Sequence, residues 1–360
     1  MPKKQEPQEQ EPKIDREKDR EVDRAAFLAD AGWGAAQCGL LAADASFRSY
    51  YRVQGQDSSA VLMDAPPPKE SVAAFHAVQE TLLRLGFSAP KPVHLDRQKG
   101  FLLLEDLGDR TFTEALRAGG DEEALYRLAI DVLIDLHKNW DGGPASLAPY
   151  SDDLLRNEVL LLTDWYFEAV MARAPSNTER DDYIAAWDGL WPLTRHVPDS
   201  LVLRDYHVDN LMELTDRRGT ERCGLLDFQD AVKGPITYDI VSLLEDARRD
   251  VSNSVISHSL THYLEAFPDL DRADFETSYA VLGAQRSAKI IGIFTRLSRR
   301  DGKSTYLAHI PRVWRLLQRD LRHPALAKVQ RWFDTALPND KRQQPAHLSP
   351  HSLAKEAQHA

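Results

Sequence analysis

The alternation of apolar and polar positions changes character about a third of the way along the chain. Before residue 108 the runs are short and strand-like. Residues 47–53 and 60–63 read as two strands joined by the turn Gly55-Gln56-Asp57. After the break at Pro66-Pro67-Pro68, the residues Val72, Phe75, Val78 and Leu82 share one helical face. They predict a helix over 71–85, ended by Pro90 and Pro92. Residues 101–104 form a short apolar run, a buried strand that leaves through the turn Glu105-Asp106-Leu107-Gly108. Beyond Gly108 the period becomes helical, over 122–137, 153–171, 180–191, 241–249, 272–298 and 310–321. Two short strand pairs interrupt these helices: 201–203 with 211–214, and 224–227 with its neighbours. The pattern predicts an α+β protein with a small β-rich N-lobe over 25–107 and a larger, mostly α-helical C-lobe over 108–336, with a cleft between them.

Charge sets the expected limits of the folded part. Residues 1–24 hold seven Lys or Arg and eight Asp or Glu with almost no apolar residue, and 337–360 look similar. Such segments bury too little to offset their ordering entropy, so both are expected to be solvated, disordered tails. Over the whole 360 residues the hydrophobic fraction is 42%, enough for a real core. The net charge is -11, which argues against nucleic acid or an anionic membrane surface as partner. No run reaches the length of a membrane span, and the N-terminus has no apolar stretch of the secretory kind. The two cysteines, Cys38 and Cys223, are far apart, which excludes a disulfide framework and a cysteine zinc site. The expectation is a cytoplasmic protein.

The clearest chemical signal is Leu203-Arg204-Asp205-Tyr206-His207-Val208-Asp209-Asn210-Leu211. An Asp followed five positions later by an Asn, between two strand-like segments, is the arrangement of a kinase catalytic loop. Phosphoryl transfer needs an acceptor oxygen in line and a metal holding the triphosphate. Asp205 is the candidate proton acceptor, and Asn210 a neutral oxygen ligand for Mg²⁺. Seventeen residues on, the strand Cys223-Gly224-Leu225-Leu226 delivers Asp227-Phe228, the position of a second, charged Mg²⁺ ligand. Asp230 is a further candidate near the metal or the substrate. His207 is read as an orienting or packing residue, not a general base.

These residues, with Gly234-Pro235-Ile236-Thr237-Tyr238-Asp239 after them, resemble the aminoglycoside phosphotransferase/choline kinase superfamily over roughly residues 40–330. The resemblance implies a bilobal protein-kinase-like fold and ATP as phosphate donor with Mg²⁺. One departure is Leu203, where that superfamily usually has His. Further segments narrow the likeness: Asp44-Ala45-Ser46-Phe47-Arg48-Ser49-Tyr50-Tyr51, Leu104-Glu105-Asp106-Leu107-Gly108, and Lys289-Ile290-Ile291-Gly292-Ile293-Phe294 with Arg300-Asp301-Gly302-Lys303. They are similar to the anomeric N-acetylmuramate/N-acetylglucosamine kinases of bacterial peptidoglycan recycling. That likeness implies small-molecule substrates, ATP and an amino sugar, and a monomeric enzyme. The rivals are another small-molecule kinase, acting on an antibiotic, choline-like or homoserine-like acceptor, and a nucleotide-binding scaffold without turnover.

On the nucleotide side no glycine-rich loop is present, and Met63 stands where the kinase set has its phosphate-binding Lys. Ser46 and backbone amides are candidates to cradle phosphate. Arg48 and Arg52 are candidate replacements for the missing cation, or else surface charge. Glu105 and Leu107 belong to a hinge whose backbone would meet the adenine edge. Asp239 is read as a brace for the catalytic loop. For the acceptor, Arg286, Lys289 and Arg296, with Gln285 and Arg300, recur at helical spacing. They form either a solvated helix face or a meeting point for an anionic sugar substituent.

Overall fold

The computed structural model describes residues 13–43, 48–68, 70–144 and 146–345. The chain forms two compact units, one of Met1–Arg84 with Ser88–Gly108 and the other of Leu85–Phe87 with Asp109–Ala360. Residues 1–12 and 346–360 of the expected tails lie outside the described residues.

The first unit begins with helix α1 (Lys13–Asp30) and strands β1 (Gln37–Ala43), β2 (Ser49–Gln54) and β3 (Ser59–Asp64). Helix α2 (Val72–Arg84), β4 (Pro92–Asp96) and β5 (Phe101–Glu105) complete it. The strands form one antiparallel sheet in the order β1-β2-β3-β5-β4. The two-residue period puts Val53, Ala60, Leu62, Phe101 and Leu103 on one face, where Phe27 and Leu28 of α1 pack. Strand β4 begins with a proline that the sequence pattern reads as a helix stop. It sits at the sheet edge, where the missing N–H leaves no gap in the ladder.

Residues 13–24 differ from the expected solvated tail, because they are part of α1. The reason lies elsewhere in the chain. Arg20 donates from Nε and Nη2 to Asp64 Oδ1 at 2.8 and 2.6 Å, and Arg24 Nη1 reaches Asp64 Oδ2 at 3.3 Å. The Arg20 guanidinium also lies 3.8 Å over the Phe101 ring. A buried acid forty residues downstream thus holds a segment whose own composition looks solvated.

The second unit is mostly helical. It holds α3 (Phe112–Arg117), α4 (Glu122–Asn139) and α5 (Asp152–Leu161), which continues through a π turn (Leu162–Phe167) into α6 (Glu168–Met171). Then come α7 (Asn177–Asp188), β6 (Asp199–Val202), β7 (Leu211–Glu213), β8 (Cys223–Leu225), β9 (Val232–Pro235) and α8 (Thr237–Leu244). The chain continues with α9 (Asn253–Ala266), α10 (Arg272–Asp301), α11 (Ile310–Asp320) and α12 (Ala327–Ala336). The long α10 is central and packs on α5, α8 and α11. Its Gly292 permits that approach, since a Cβ there would lie 2.3 Å from the Leu161 carbonyl carbon. Trp187 and Trp191 stack at 5.7 Å inside the core. The expected tail after 336 begins as packed chain: Leu337 is buried, and Tyr166 Oη donates to Lys341 O at 2.6 Å.

The strand pairing differs from the sequence expectation. Strand β6 pairs with β9, with Val202 opposite Val232, while β7 pairs with β8. Neighbour-with-neighbour pairing fails because the chain leaves β6 through Arg204 at φ 71°. The N–H groups of Leu203 and Arg204 are taken by the Asp239 carboxylate, so they join no ladder. Among the described residues no helix is long and apolar enough to cross a membrane.

Candidate active site

The loop between β6 and β7 is held open by backbone bonds. Asp239, at the start of α8, accepts from Leu203 N at 2.6 Å and Arg204 N at 2.9 Å. Burial pushes its pKa up to about 7, with those two N–H bonds pulling the other way. Leu203, standing where the superfamily has His, thus meets the brace through its backbone. Asp205 follows, half-buried, at the turn of the loop. Asn210 closes the loop by donating from Nδ2 to Asp205 O at 3.0 Å.

The same Asn210 amide lies 3.4 Å from Asp227 Oδ2, so the two predicted metal ligands meet. Leu226 N donates to Asn210 O at 3.0 Å and ties the end of β8 to the loop. Asp227 is left-handed at φ 58°, and Arg204 at φ 71°; neither is glycine. Left-handed backbone at non-glycine residues is strain of the kind that collects at functional sites. Gln229 Nε2 donates to Asp227 Oδ1 at 2.6 Å. His207 is buried, and burial, reinforced by Arg248 and Arg286, pulls its pKa down to about 3. A ring that binds a proton so weakly is a poor base, in keeping with the orienting role expected of His207.

Among the described residues no group of three or more His, Cys, Asp or Glu could hold a metal ion. A neighbouring amide and carboxylate nevertheless fit Mg²⁺, which takes few protein oxygens and fills its shell with phosphate and water. Asp230 does not join this pair. Its side chain is exposed, and only its backbone oxygen is engaged, by Arg204 Nη1 at 3.3 Å.

The residues expected on the acceptor side divide. Lys289 Nζ lies 2.9 Å from Glu158 Oε1, and Gln285 Nε2 donates to Glu158 Oε2 at 2.8 Å. Arg204 Nη2 binds the same carboxylate, and Tyr150 Oη donates to it at 2.5 Å. Burial works to raise the pKa of Glu158, but Lys289 and Arg204 outweigh it and hold it down to about 2. Lys289 and Gln285 are therefore parts of a buried ionic cluster that anchors Arg204 behind the loop. Arg286 is buried and donates to Glu245 O at 3.2 Å. Arg296 is half-buried, and Arg300 is exposed and pairs with its neighbour Asp301 at 2.7 Å. Helical spacing found these cations but missed Glu158, which sits 127 positions from Gln285 in the chain.

In the first unit, Ser46 lies outside the described residues. Met63 is buried in the sheet between Tyr50 and Leu102. Arg48 is also buried, and its Nη1 lies 3.7 Å from Glu70 Oε2. Arg52 pairs with Asp106, Nε to Oδ2 2.9 Å, and its Nη2 reaches Gly108 O at 3.4 Å. Glu105 ends β5, where its N–H donates to Lys91 O at 2.8 Å, and Leu107 is half-buried beyond it. Glu70 was not expected from the sequence. It lies just ahead of α2, outside the helix predicted over 71–85.

Comparison with known proteins adds independent information. Residues 38–275 match the phosphotransferase enzyme family. An N-acetylmuramate/N-acetylglucosamine kinase of Caulobacter vibrioides is 36% identical over 90% of this chain and 98% of its own. A choline/ethanolamine kinase family protein from Mesorhizobium loti has a similar fold, with TM-score 0.57 and 13% identity over 87% of this chain and 99% of that one. An aminoglycoside phosphotransferase solved as a ternary complex with streptomycin and ATP superimposes with TM-score 0.53 at 16% identity, over 82% of this chain and 96% of that one.

Proposed function

The chain belongs to the phosphotransferase enzyme family, and from that premise we propose that it transfers the terminal phosphoryl group of ATP to the anomeric C1 hydroxyl of N-acetylmuramate or N-acetylglucosamine. The observation that carries this reading is the approach of Asn210 to Asp227 at 3.4 Å, on the loop that also bears Asp205. The identity with the Caulobacter vibrioides kinase over nearly the whole of both chains supports the choice of acceptor. The substrates are small molecules, and the reading implies a monomer working in the cytoplasm, where ATP is available.

In this reading the C1 oxygen attacks the terminal phosphorus, the bond to the bridging oxygen of ADP breaks, and the hydroxyl proton passes to the Asp205 carboxylate. An anomeric hydroxyl is more acidic than an ordinary alcohol, so a carboxylate suffices as acceptor late in a loose transition state. Asp239 fixes the backbone before Asp205 and so fixes where its carboxylate lies. Asn210 and Asp227 would hold Mg²⁺, which supplies charge neutralisation at the phosphates. Kinases pair a phosphate-binding Lys with a Glu on the following helix. Arg48 beside Glu70, just ahead of β2 and α2, is the cation–acid pair that takes this place in the reading, since Met63 carries no charge.

The test is ³¹P NMR of the protein with Mg·ATP and each amino sugar, beside choline and an aminoglycoside. A new phosphate coupled to the anomeric proton of either sugar is the expected result. Transfer to another hydroxyl, to choline or aminoglycoside alone, or nucleotide binding without transfer would overturn the reading.

A further inference from the structure

We propose that a cavity of about 700 Å³ inside the helical unit binds the acceptor, with Arg248 meeting the anionic substituent of the sugar and Asp246 holding Arg248 in place. The proposal rests on the reading of the acceptor as an N-acetylated amino sugar. The cavity has the size of a small-molecule site. Its wall includes Val208 and Asp209, which follow Asp205 on the catalytic loop, and Thr113, Asp246, Arg248 and Arg312.

Asp246 is 2% exposed. Its Oδ1 accepts from Arg248 N at 2.7 Å and so fixes the backbone that carries Arg248 at the cavity wall.

The cations of the wall are not equivalent. Arg312 grips Asp250 with Nε at 3.0 Å and Nη2 at 3.2 Å, and Nη1 donates to Arg248 O at 2.7 Å. It holds the segment in place and has little left to offer. Arg249 is committed to Glu122 at 2.6 Å. Among the described residues the Arg248 side chain reaches only Asp209 at 3.6 Å and the His207 ring at 3.4 Å. Both contacts are longer than a charge-assisted bond of about 2.7–2.9 Å. Its planar fork is thus available to a carboxylate. N-acetylmuramate carries a lactyl carboxylate and N-acetylglucosamine does not. Arg248 therefore acts on the choice between them, and Asp246 acts through Arg248.

Steady-state kinetics with the two sugars test this. Arg248→Ala is expected to raise KM for N-acetylmuramate roughly 10- to 100-fold more than KM for N-acetylglucosamine, the loss of one charged contact. Arg248→Lys keeps the charge but not the fork and is expected to fall between. Asp246→Ala removes the acceptor of Arg248 N and is expected to raise KM for N-acetylmuramate more than KM for N-acetylglucosamine, with KM for ATP nearly unchanged. Equal changes for the two sugars on Arg248→Ala or on Asp246→Ala would overturn the proposal. Should the wild type phosphorylate neither sugar, the functional reading fails on its own. Calorimetric titration of N-acetylmuramate into wild type and Arg248→Ala then decides the cavity, since binding lost in the variant supports it, and binding that is equal in both or absent from the wild type refutes it.

Discussion

Glu158 and Asp246 are both buried acids near the loop 203–210, yet their surroundings are opposite. Glu158 is met by Arg204, Lys289, Gln285 and Tyr150, so both of its oxygens are filled. Asp246 has one oxygen bonded to Arg248 N and, among the described residues, the other without a donor. Saturation marks scaffold, because a filled carboxylate has nothing left for a ligand. The second Asp246 oxygen is sealed from solvent, and burial pushes the pKa of this carboxyl up, where counter-ions hold that of Glu158 down. The cations follow the same division. Lys289 is spent on Glu158, while among the described residues the Arg248 side chain makes only long contacts.

The sharpest separation of chemistry from scaffold is made at Asp205. Asp205→Asn is expected to lower kcat by about 10²–10⁴, the usual worth of a proton acceptor. Its melting temperature and Mg·ATP affinity should stay near wild type. Turnover within a few-fold of wild type would remove Asp205 from the chemistry.

Glu158→Gln is expected to do the reverse and act first on stability. Removing the charge leaves Arg204 and Lys289 buried without their counter-ion, which costs about 3–5 kcal/mol in comparable buried pairs. Urea unfolding of wild type and variant measures this. The pH dependence gives the sign. The Glu158 carboxyl is held at about 2, below its ordinary value of 4.5. Its contribution to stability is therefore complete above about pH 4.5 and is lost as the pH falls toward 2. The gap between wild type and Glu158→Gln should close over that window. A gap that stays constant with pH would break the contrast with Asp246.

The same contrast explains what could be read from the sequence. Asp205, Asn210 and Asp227 were legible because their arrangement is local, set by one loop and the end of one strand. Helical spacing also found Gln285, Arg286 and Lys289 as a group. It could not say what they face, because the deciding partner, Glu158, is one acid among many on an amphipathic helix. The pairing of β6 with β9 was missed for a related reason. Short strands suggest hairpins with their neighbours, and only the capture of two N–H groups by Asp239 shows that this ladder never forms. The missing lysine at position 63 points to Arg48 and Arg52 as candidates, but not to Glu70, the partner of Arg48 just outside the predicted helix.

The smallest of the expected effects concerns Asp64, a third buried acid, which belongs with Glu158 in this comparison. It is 4% exposed and receives Arg20 at 2.6 and 2.8 Å and Arg24 at 3.3 Å. By composition alone residues 1–24 would be solvated, and replacing two of their arginines would leave stability unchanged. In the structure those arginines are the donors that fill a buried carboxylate, while Phe27 and Leu28 fix the far end of α1 against the sheet. The double variant Arg20→Ala, Arg24→Ala is therefore expected to lose about 1–3 kcal/mol, the cost of leaving a buried acceptor without its partners. Urea unfolding reads this directly, and the kinetic constants for the sugars should move little. If stability is unchanged, the helix contributes nothing through Asp64, and the rule that filled carboxylates mark scaffold fails at the simplest place to test it.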